Sequence, residues 1–467
     1  MALRLCLRDL PRLSGRSRDR AFGPAGASAF PSVLGERTVS PALWTLISVF
    51  VGAAVLRVPI AFSMLAAGVA YLAVNGSDVG QVAEQALNGL YSNFVLIAIP
   101  MFVFAANVMN AGTISDRLWS FSNAVVGRFR GGLGQVSVLI GLLFASMTGS
   151  AIADAAGPGL VTYRAMTKVG GYKPGFAISI TAASATIAPV VPPSIPMILY
   201  AVIANVSVGA MFLAGIVPGL MMAASLMLVI AVMARVRNLP VGEAVGFGEA
   251  FRLFRRAFLP MLMPVIILVG IYSGAFTPTE AAVVAGLYAI VLSVFVYRAF
   301  GWRELAAIAL ESARSTGMIG LMIAGAFLIN YAVTAEQVGE WFAALTDGAG
   351  FSALELFLVI NLALLVAGCF LDTGTLMLVI VPLLLPAVHA HGIDPVHFGV
   401  VIVVNLMVGM ITPPYGLLLF VLSGLSKAPL GEMFREIWPF VGALVVVLLL
   451  LVFFPVLVVG LPHYFGY

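Results

Sequence analysis

The stretch ASMTGSAIADAAGPG, residues 145–159, interrupts an apolar segment with hydroxyls, glycines and a carboxylate, Asp154. The whole chain is 61% hydrophobic and only 9% charged, with a mean hydropathy of +1.09. A water-soluble globule of 467 residues cannot bury that much apolar surface. The composition therefore predicts an integral membrane protein, in which a carboxylate at membrane depth is costly and marks an ion or substrate pathway.

The apolar segments predict membrane-spanning helices rather than the strands of a β-barrel. Several are close to the ~20 residues that a helix needs to cross a hydrocarbon core, and the sequence lacks the alternating ten-residue pattern of barrel strands. The two cysteines and four histidines show no spacing typical of a metal or redox site. Ten spans are predicted, beginning near residues 41, 58, 94, 174, 209, 258, 281, 315, 395 and 436.

Basic residues predict the orientation, because short loops rich in Lys and Arg stay in the cytoplasm. The segment from about 133 to 163 has such residues on both sides, with Arg128 and Arg130 before it and Lys168 and Lys173 after it. A single crossing would place one of these clusters on the wrong side of the membrane. We therefore predict a re-entrant hairpin that enters from the cytoplasm and has ASMTGSAIADAAGPG at its tip.

A second segment, residues 354–388, shows the opposite pattern. Its near flanks carry acidic residues and no Lys or Arg, and its middle reads GCFLDTGT, residues 368–375. This pattern predicts a second re-entrant hairpin that enters from the outer face, with Asp372 at its tip. Both termini of the chain are then expected on the outside.

Prolines reveal an internal repeat. At an offset of 221 residues the matching pairs are Pro174 with Pro395, Pro192 and Pro193 with Pro413 and Pro414, and Pro218 with Pro439. The first copy is predicted at about 94–234 and the second at about 315–461, each with one span, a hairpin and two further spans. Since the charges orient the copies oppositely, this is an inverted repeat, which is typical of secondary transporters with a site at the bilayer midplane.

The double prolines predict a break within one span of each copy. They lie in APVVPPSIP, residues 188–196, and in MITPPYG, residues 410–416. Paired prolines remove two backbone donors and clash with the preceding turn, so the helix is expected to be interrupted there. A kink that serves only helix packing is the alternative interpretation.

Hydroxyls, carboxylates and the free carbonyls of a helix break suit a hard cation such as sodium, and half-helix N-termini favour an anion. Each hairpin tip is therefore predicted to form one cation-binding cage together with the neighbouring helix break. A structural alternative is that Asp154 and Asp372 cap their own hairpin helices. The residues predicted to bind sodium or substrate are Thr148, Gly149, Ser150, Asp154, Pro192, Pro193, Ser194, Asp372, Thr373, Thr375, Thr412, Pro413 and Pro414.

Six motifs occur in order along the chain: IPMFVFAANVMNAG (99–112), ASMTGSAIADAAGPG (145–159), APVVPPSIPMILYA (188–201), SGAFTPTEAA (273–282), DTGTLMLVIVPLLLP (372–386) and MITPPYGLLLF (410–420). Together they resemble the large membrane subunit, the DctM-like family, of tripartite ATP-independent periplasmic (TRAP) transporters. The resemblance extends from about residue 41 to the C-terminus. It implies an all-α polytopic protein of the bacterial inner membrane, an inverted-repeat elevator-type transporter similar to the ion transporter superfamily, with two re-entrant hairpins and two broken helices.

The resemblance also implies an activity. Members import organic acids, such as C4-dicarboxylates, sialic acids or keto acids, together with sodium as the coupling ion and without a cofactor. The sodium ligands of the family carry over to Thr148, Ser150 and Asp154 and to Asp372, Thr373 and Thr412.

Two partners are implied: a small four-helix membrane subunit (DctQ-like), expected as a separate chain, and a periplasmic solute-binding protein (DctP-like). A stand-alone sodium/dicarboxylate symporter without a binding protein is the alternative. An intramembrane enzyme is not expected, because neither polar tip offers a His or a second acid. No feature indicates a nucleic-acid partner.

Two further regions carry expectations. Residues 1–40 hold seven Arg against three acidic residues and depart from the family. We expect a disordered leader, a start codon assigned too early, or a basic arm that binds lipid, with residues 41–467 forming the transporter domain. The amphipathic stretches 114–130 and 302–314 are expected to be arms lying at the membrane interface.

Overall fold

The computed structural model describes residues 40–91, 93–242 and 245–467. Within these ranges all named elements are helical, and the β-type pairing consists of one isolated bridge between Arg130 and Val241. The all-α fold predicted from the sequence is therefore confirmed. The expectations for the Arg-rich leader concern residues that, apart from Ser40, lie outside the described ranges.

Three helices precede the first repeat, namely α1 Pro41–Val55, α2 Ile60–Val74 and α3 Gln81–Tyr91. The helices α1 and α2 pack against each other. Each contains 15 residues, and a helix of that length rises about 22 Å, which is less than the roughly 30 Å of a typical hydrocarbon core.

The first repeat contains α4 Ala98–Ala111, α5 Ile114–Val126, α6 Gly132–Thr148, α7 Ala151–Asp154, α8 Leu160–Lys168, α9 Pro174–Ala185, α10 Ile195–Ala204 and α11 Val208–Val236. A 3-10 turn, Phe94–Ile97, leads into α4, and a π-helical segment, Ala155–Gly159, joins α7 to α8. The predicted amphipathic helix at 114–130 thus corresponds to α5.

The helices α6 to α8 form the first predicted hairpin. Its two ends meet, because the backbone N–H of Gly134 donates to the hydroxyl of Tyr172 at 3.4 Å. The helices α6 and α8 also pack against each other along the hairpin. The segment therefore returns to the end at which it started, as the basic residues on both sides predicted.

Two helices connect the repeats, α12 Phe247–Tyr272 and α13 Pro278–Ile290, and the second continues as a π-helical segment, Val291–Val296. The start of α13 is determined by two residues close to each other in the sequence. Thr277 accepts a hydrogen bond from the backbone N–H of Glu280 at 3.3 Å, and the Glu280 carboxylate accepts one from the backbone N–H of Thr277 at 2.8 Å. This capping box satisfies two N–H groups that would otherwise lack a partner.

The second repeat contains α14 Trp302–Ala335, α15 Val338–Gly348, α16 Ala353–Gly368, α17 Thr373–Thr375, α18 Val381–Ala390, α19 Pro395–Met410, α20 Leu417–Ser426, α21 Leu430–Glu436 and α22 Trp438–Phe453, and α23 Val456–Tyr464 follows it. A π-helical segment, Leu376–Ile380, joins α17 to α18. The helices α16 to α18 form the second hairpin. The start of this hairpin lies beside the helix that follows it, because the ring of Phe357 in α16 lies 5.2 Å from the ring of His397 in the first turn of α19.

The element boundaries repeat at the offset that the prolines predicted. The π-helical segments Ala155–Gly159 and Leu376–Ile380 are 221 residues apart at both ends, and the first residues of α6 and α16, Gly132 and Ala353, have the same separation. The structural repeat therefore includes the two hairpins. Few residues of the two copies are identical there.

The two copies run in opposite directions. The hydroxyl of Tyr200, in α10, donates to the carbonyl oxygen of Pro395 at 2.5 Å, so the end of the first broken span lies beside the start of the second. Ser179 Oγ, near the start of α9, lies 3.3 Å from the carbonyl oxygen of Met433 in α21, which follows the second broken span. The broken spans are therefore antiparallel, which is the inverted arrangement predicted from the charges.

Each predicted span coincides with a helix or a broken helix, but two boundaries were predicted wrongly. Residues 302–314 are not a separate arm, because they form the first part of the 34-residue helix α14. The last predicted span, near 436–461, is interrupted at Phe454, where α22 ends before α23. A proline at 455 removes a backbone donor and explains this interruption.

Helix length alone identifies fewer spans than the sequence predicted. Among the described residues, six helices are long and apolar enough to cross a membrane, or up to seven if the bent pair α21 and α22 counts as one. The remaining predicted spans are short helices or the two halves of broken spans. One of the six, Thr373–Ala390, is an arm of the second hairpin, so length and hydropathy do not distinguish a re-entrant arm from a crossing.

Candidate functional site

The first hairpin tip packs tightly on the first helix break. Gly149 ends α6 in the left-handed conformation, with φ 61°. A Cβ atom at this position would lie 2.5 Å from the carbonyl oxygen of Pro193. Only glycine combines this backbone conformation with so close an approach. The hairpin tip and the broken span therefore touch through their main chains.

Asp154 is buried behind this tip, with 2% of its surface exposed. Thr148 Oγ1 donates a hydrogen bond to Asp154 Oδ1, whereas Asp154 Oδ2 has no hydrogen-bond partner among the described residues. The capping alternative does not apply here, because Ser150 is the residue that caps α7, accepting from the N–H of Ala153 at 3.4 Å. A buried carboxylate oxygen without a partner is costly, so a bound cation or a proton is needed to balance it.

The first break is a true interruption of the helix. The helix α9 ends at Ala185, and α10 begins only at Ile195, after a turn that contains the cis peptide bond between Pro192 and Pro193. Ser194 caps α10 by accepting from the N–H of Met197 at 3.2 Å, and its hydroxyl donates to the carbonyl of Pro189.

The second hairpin tip is arranged differently. Asp372 is only partly buried and caps α17, since its carboxylate accepts from the N–H of Thr375 at 3.1 Å and from the hydroxyl of the same residue. The capping alternative is thus confirmed for Asp372. The hydroxyl of Thr373 lies 3.2 Å from the sulfur of Met410, at the end of α19.

The two aspartates are not equivalent positions of the repeat. At the offset of 221 residues, Asp154 corresponds to Thr375 and Asp372 corresponds to Ala151. Each carboxylate nevertheless accepts from a threonine hydroxyl of its own tip, Asp154 from Thr148 and Asp372 from Thr375. The copies therefore use similar side chains at different positions.

The second break is also held by its hairpin. The helix α19 ends at Met410 and α20 begins at Leu417, with a cis peptide bond between Pro413 and Pro414 in the turn. The N–H of Gly416 donates to the carbonyl of Cys369 at 3.1 Å. Thr412 lies in this turn, and its hydroxyl donates to the carbonyl of Val408, near the end of α19, at 2.7 Å.

One cavity of about 230 Å³ is bounded by both hairpin tips and by residues beside both breaks. Its polar side chains come from Ser150, Asp372 and Thr373, and its backbone wall includes the predicted residue Gly149. The remaining wall is mostly apolar, and among the residues that the structure describes no Lys, Arg or His contributes to it. The other predicted residues do not line this cavity: Thr148, Asp154, Pro192, Pro193, Ser194, Thr375, Thr412, Pro413 and Pro414.

Part of this wall carries no signal in the sequence motifs. Ile319 and Met322 of α14, together with Met407 of α19, face the same cavity. Apolar residues within apolar spans carry no signal that distinguishes a cavity wall from a lipid-facing or packed position. The first residues of α10 and α20, Ile195 and Leu417, also lie at the cavity, so two helix N-termini contribute partial positive charge there.

Two opposed hairpins, two broken antiparallel helices and one central cavity define the class of protein. This is the architecture of secondary transporters, in which discontinuous helices form a site between inverted repeats. The chain matches the family described as tripartite ATP-independent periplasmic transporter, DctM component, over residues 46–457, and it belongs to that family.

Curated relatives agree with this assignment. The chain is 39% identical to the sialic acid TRAP transporter large permease protein SiaM of Vibrio cholerae, over 88% of this chain and 96% of the relative. It is 40% identical to the C4-dicarboxylate TRAP transporter large permease protein DctM of Pseudomonas aeruginosa, over 80% and 87%. Because these relatives are permeases, they support a transport role rather than an enzymatic one.

A solved structure shares the fold. The Alcanivorax borkumensis YdaH transporter superposes with a TM-score of 0.61 at 15% identity, covering 82% of this chain and 89% of that one. This likeness concerns the fold alone. The family and the apolar helices define a multi-pass protein of the bacterial inner membrane.

Proposed function

We propose that this protein is the large permease subunit of a sodium-coupled importer of organic acids. The observation that carries the proposal is the cavity that both hairpin tips share and that residues beside both helix breaks border. A solute in this cavity would touch both copies of the inverted repeat at once. Such a position suits a site that opens to one side of the membrane and then to the other.

The coupling ion would bind beside the cavity, at the two tips. At the first tip, Asp154 Oδ2 lacks a hydrogen-bond partner among the described residues, and the hydroxyl of Thr148 donates to the other carboxylate oxygen, Oδ1. Gly149, the next residue after Thr148, offers a main-chain carbonyl as a further candidate. At the second tip, Asp372 and Thr373 offer oxygens at the cavity wall, with Thr412 as a further candidate at the break. Hard oxygen donors of this kind suit sodium.

The solute would be an organic acid. Relatives are named for sialic acid and for C4-dicarboxylates, and both are carboxylates. Since no basic side chain of the described part of the chain lines the cavity, the negative charge of the solute would be balanced by helix N-termini and by the bound sodium. Binding of the ion would thereby favour binding of the anion, and the reverse would hold equally.

The family name implies a transporter of three components. The partners proposed for this chain are a small four-helix membrane subunit and a periplasmic protein that delivers the solute. The proposed moving unit, consisting of the hairpins and the broken helices, would slide as one body against the other helices in an elevator motion. Sodium at Asp154 and Asp372 would offset the cost of carrying carboxylates through the membrane, roughly 3 kcal/mol for an aspartate at the centre of a spanning helix.

Uptake into proteoliposomes tests the proposal. The chain would be reconstituted with the small subunit, the solute-binding protein would be added outside, and a radiolabelled acid that this binding protein binds would be supplied. We expect accumulation with an inward sodium gradient and none with an equal potassium gradient. Accumulation with potassium would exclude sodium coupling, whereas sodium-driven uptake without the binding protein would favour the stand-alone symporter.

A further inference from the structure

A second cavity, of about 630 Å³, lies at the end of the molecule where the first hairpin closes. Its wall includes Lys173 at the start of α9, Arg237 just after α11, and Arg435 and Glu436 of α21. The cavity is therefore formed by elements of both repeats. It lies at the opposite end of α9 from the break that borders the central cavity.

The charge of this cavity favours an anion. Three positive side chains and one negative side chain face it, which leaves a net charge of +2. Arg237 forms an ion pair with Glu436 at 2.5 Å, whereas no ion pair of Lys173 or Arg435 is formed among the described residues. Two cations are thus available for a ligand after the acid is neutralised.

The backbone adds further positive charge. Lys173 is the residue before α9, and Pro174 is its first residue, so the next N–H groups, of Gly175 and Phe176, lie in the unpaired first turn of the helix. The positive end of a helix binds phosphate and carboxylate groups readily. Here it coincides with a cavity and with basic side chains, and it also faces the exposed Glu432, whose Oε2 would lie 3.0 Å from a Cβ on Gly175. The anion site is therefore formed by the basic side chains of the cavity rather than by the helix terminus alone.

The position of Arg237 is fixed by its neighbours. Its guanidinium lies over the ring of Phe176 at 4.3 Å from the centroid, and Glu436 holds it from the other repeat. An arginine held by stacking and by an ion pair loses little entropy when it binds a planar or tetrahedral anion. The cavity is therefore preorganised at Arg237, and its two other cations, Lys173 and Arg435, are exposed.

An apolar stripe on α11 ends next in sequence to Arg237 of this cavity. Leu228, Val232 and Val236 follow one face of α11 at intervals of four residues, and they are 66%, 54% and 77% exposed. Such exposed apolar residues on a membrane-spanning helix face lipid acyl chains. The stripe ends one residue before Arg237. A phosphate group in the cavity with an acyl chain along the stripe matches the two ends of a phospholipid.

We propose that this second cavity binds the phosphate headgroup of an anionic phospholipid, with its acyl chain along the exposed face of α11. The ligand would join α9, α11 and α21 at the end where the basic residues cluster. This end is the one predicted to face the cytoplasm, where basic pockets between helices bind anionic headgroups. The site is independent of the central cavity and of its proposed solute.

Native mass spectrometry of the purified full-length chain in detergent tests the proposal. Phosphatidylglycerol, phosphatidylcholine and inorganic phosphate would be titrated separately. We expect phosphatidylglycerol to bind at least about tenfold more tightly than phosphatidylcholine, because each basic residue near a headgroup favours the anionic lipid. Inorganic phosphate is expected to bind weakly, since it has no acyl chain for the stripe.

Variants of the basic residues of the cavity, compared with a control pair outside it, test whether the lipid binds in this cavity. Replacing both free cations, Lys173→Gln with Arg435→Gln, should reduce the preference for phosphatidylglycerol about tenfold. The control pair Arg164→Gln with Arg255→Gln removes two exposed basic residues that do not line the cavity, and it should keep the preference. If the double variant fails to fold, Arg435→Gln alone should show a smaller loss in the same direction.

Three results would overturn the proposal. The control pair could lose the preference as strongly as the cavity pair, which would indicate a general surface charge effect. The cavity variants could keep the preference unchanged, which would place the lipid elsewhere. Inorganic phosphate could bind as tightly as phosphatidylglycerol, which would indicate a site for a free anion.

Discussion

The hydroxyl of Tyr200 donates to the main-chain carbonyl of Pro395 at 2.5 Å, although the two residues belong to different copies of the repeat. Tyr200 is fully buried, and its ring lies 6.4 Å from that of Phe398. Gly399 permits this approach, since a Cβ there would lie 2.1 Å from the tyrosine ring. The contact joins the end of one broken span to the start of the other and therefore depends on their antiparallel arrangement.

Removing this hydroxyl should weaken the contact between the repeats. Tyr200→Phe keeps the ring and leaves the Pro395 carbonyl with one partner fewer, so we expect a loss of about 1 kcal/mol of stability. Thermal unfolding of the purified protein in detergent measures this loss. The control is Tyr91→Phe, because Tyr91 is 83% exposed. Equal melting temperatures for the two variants would show that the bond contributes nothing.

The inverted repeat predicts opposite labelling of two exposed positions. Lys168 ends the first hairpin, and Glu340 lies in α15, before the second hairpin. In a background with Cys6→Ser and Cys369→Ser, a cysteine at 168 should react with a membrane-impermeant maleimide only from the cytoplasmic side. A cysteine at 340 should react only from the periplasmic side. Labelling of both from one side would contradict the predicted orientation.

Neutralising either hairpin carboxylate should remove sodium coupling. Asp154→Asn replaces a carboxylate whose Oδ2 has no partner among the described residues with an amide that cannot neutralise a cation. Asp372→Asn removes the negative charge at the cavity wall, where the carboxylate accepts from Thr375. We expect each to reduce sodium-dependent uptake at least about tenfold, as loss of a charged ligand costs more than 1.4 kcal/mol.

The control for this pair is Asp116→Asn, since Asp116 is exposed in α5. Its uptake should remain close to that of the wild type. Size-exclusion profiles of all three variants check that the protein folds. Wild-type sodium dependence in both hairpin variants would remove the carboxylates from the ion sites.

The close approach at the first tip predicts a specific glycine requirement. Gly149→Ala should strain the backbone and also push the tip away from Pro193, because its Cβ would lie 2.5 Å from the carbonyl oxygen. Gly274→Ala is the matched control, since Gly274 also has a positive φ, 71°, but no atom within 4 Å of a Cβ. Both variants carry strain of about 1–2 kcal/mol.

Only Gly149→Ala should therefore lose transport in addition to stability. Uptake rates normalised to the amount of folded protein separate the two effects. An equal fall in normalised uptake for both alanine variants would show that strain, and not the contact with the broken helix, limits transport.

The sequence by itself determined the class and the chain path of this protein, because each feature leaves a local signal. Basic residues on both sides of 133–163 indicated a segment that returns to its own side, since charge in loops decides orientation. The double prolines at 192 and 413 indicated the two breaks, since a proline cannot donate to a helix. The common offset of these prolines indicated the repeat, and the helix boundaries follow the same offset.

Only the tertiary structure decided which side chains meet at the cavity. Asp154 and Asp372 look alike in sequence, with hydroxyls and glycines around both, yet Asp154 is buried behind its tip whereas Asp372 lies at the cavity wall. Ile319 and Met322 join that wall from a helix without any polar motif. Whether a residue faces a cavity depends on how helices that are distant in sequence pack together. Because the chain is apolar almost throughout, the composition of a span does not indicate which of its residues face the cavity, another helix or lipid.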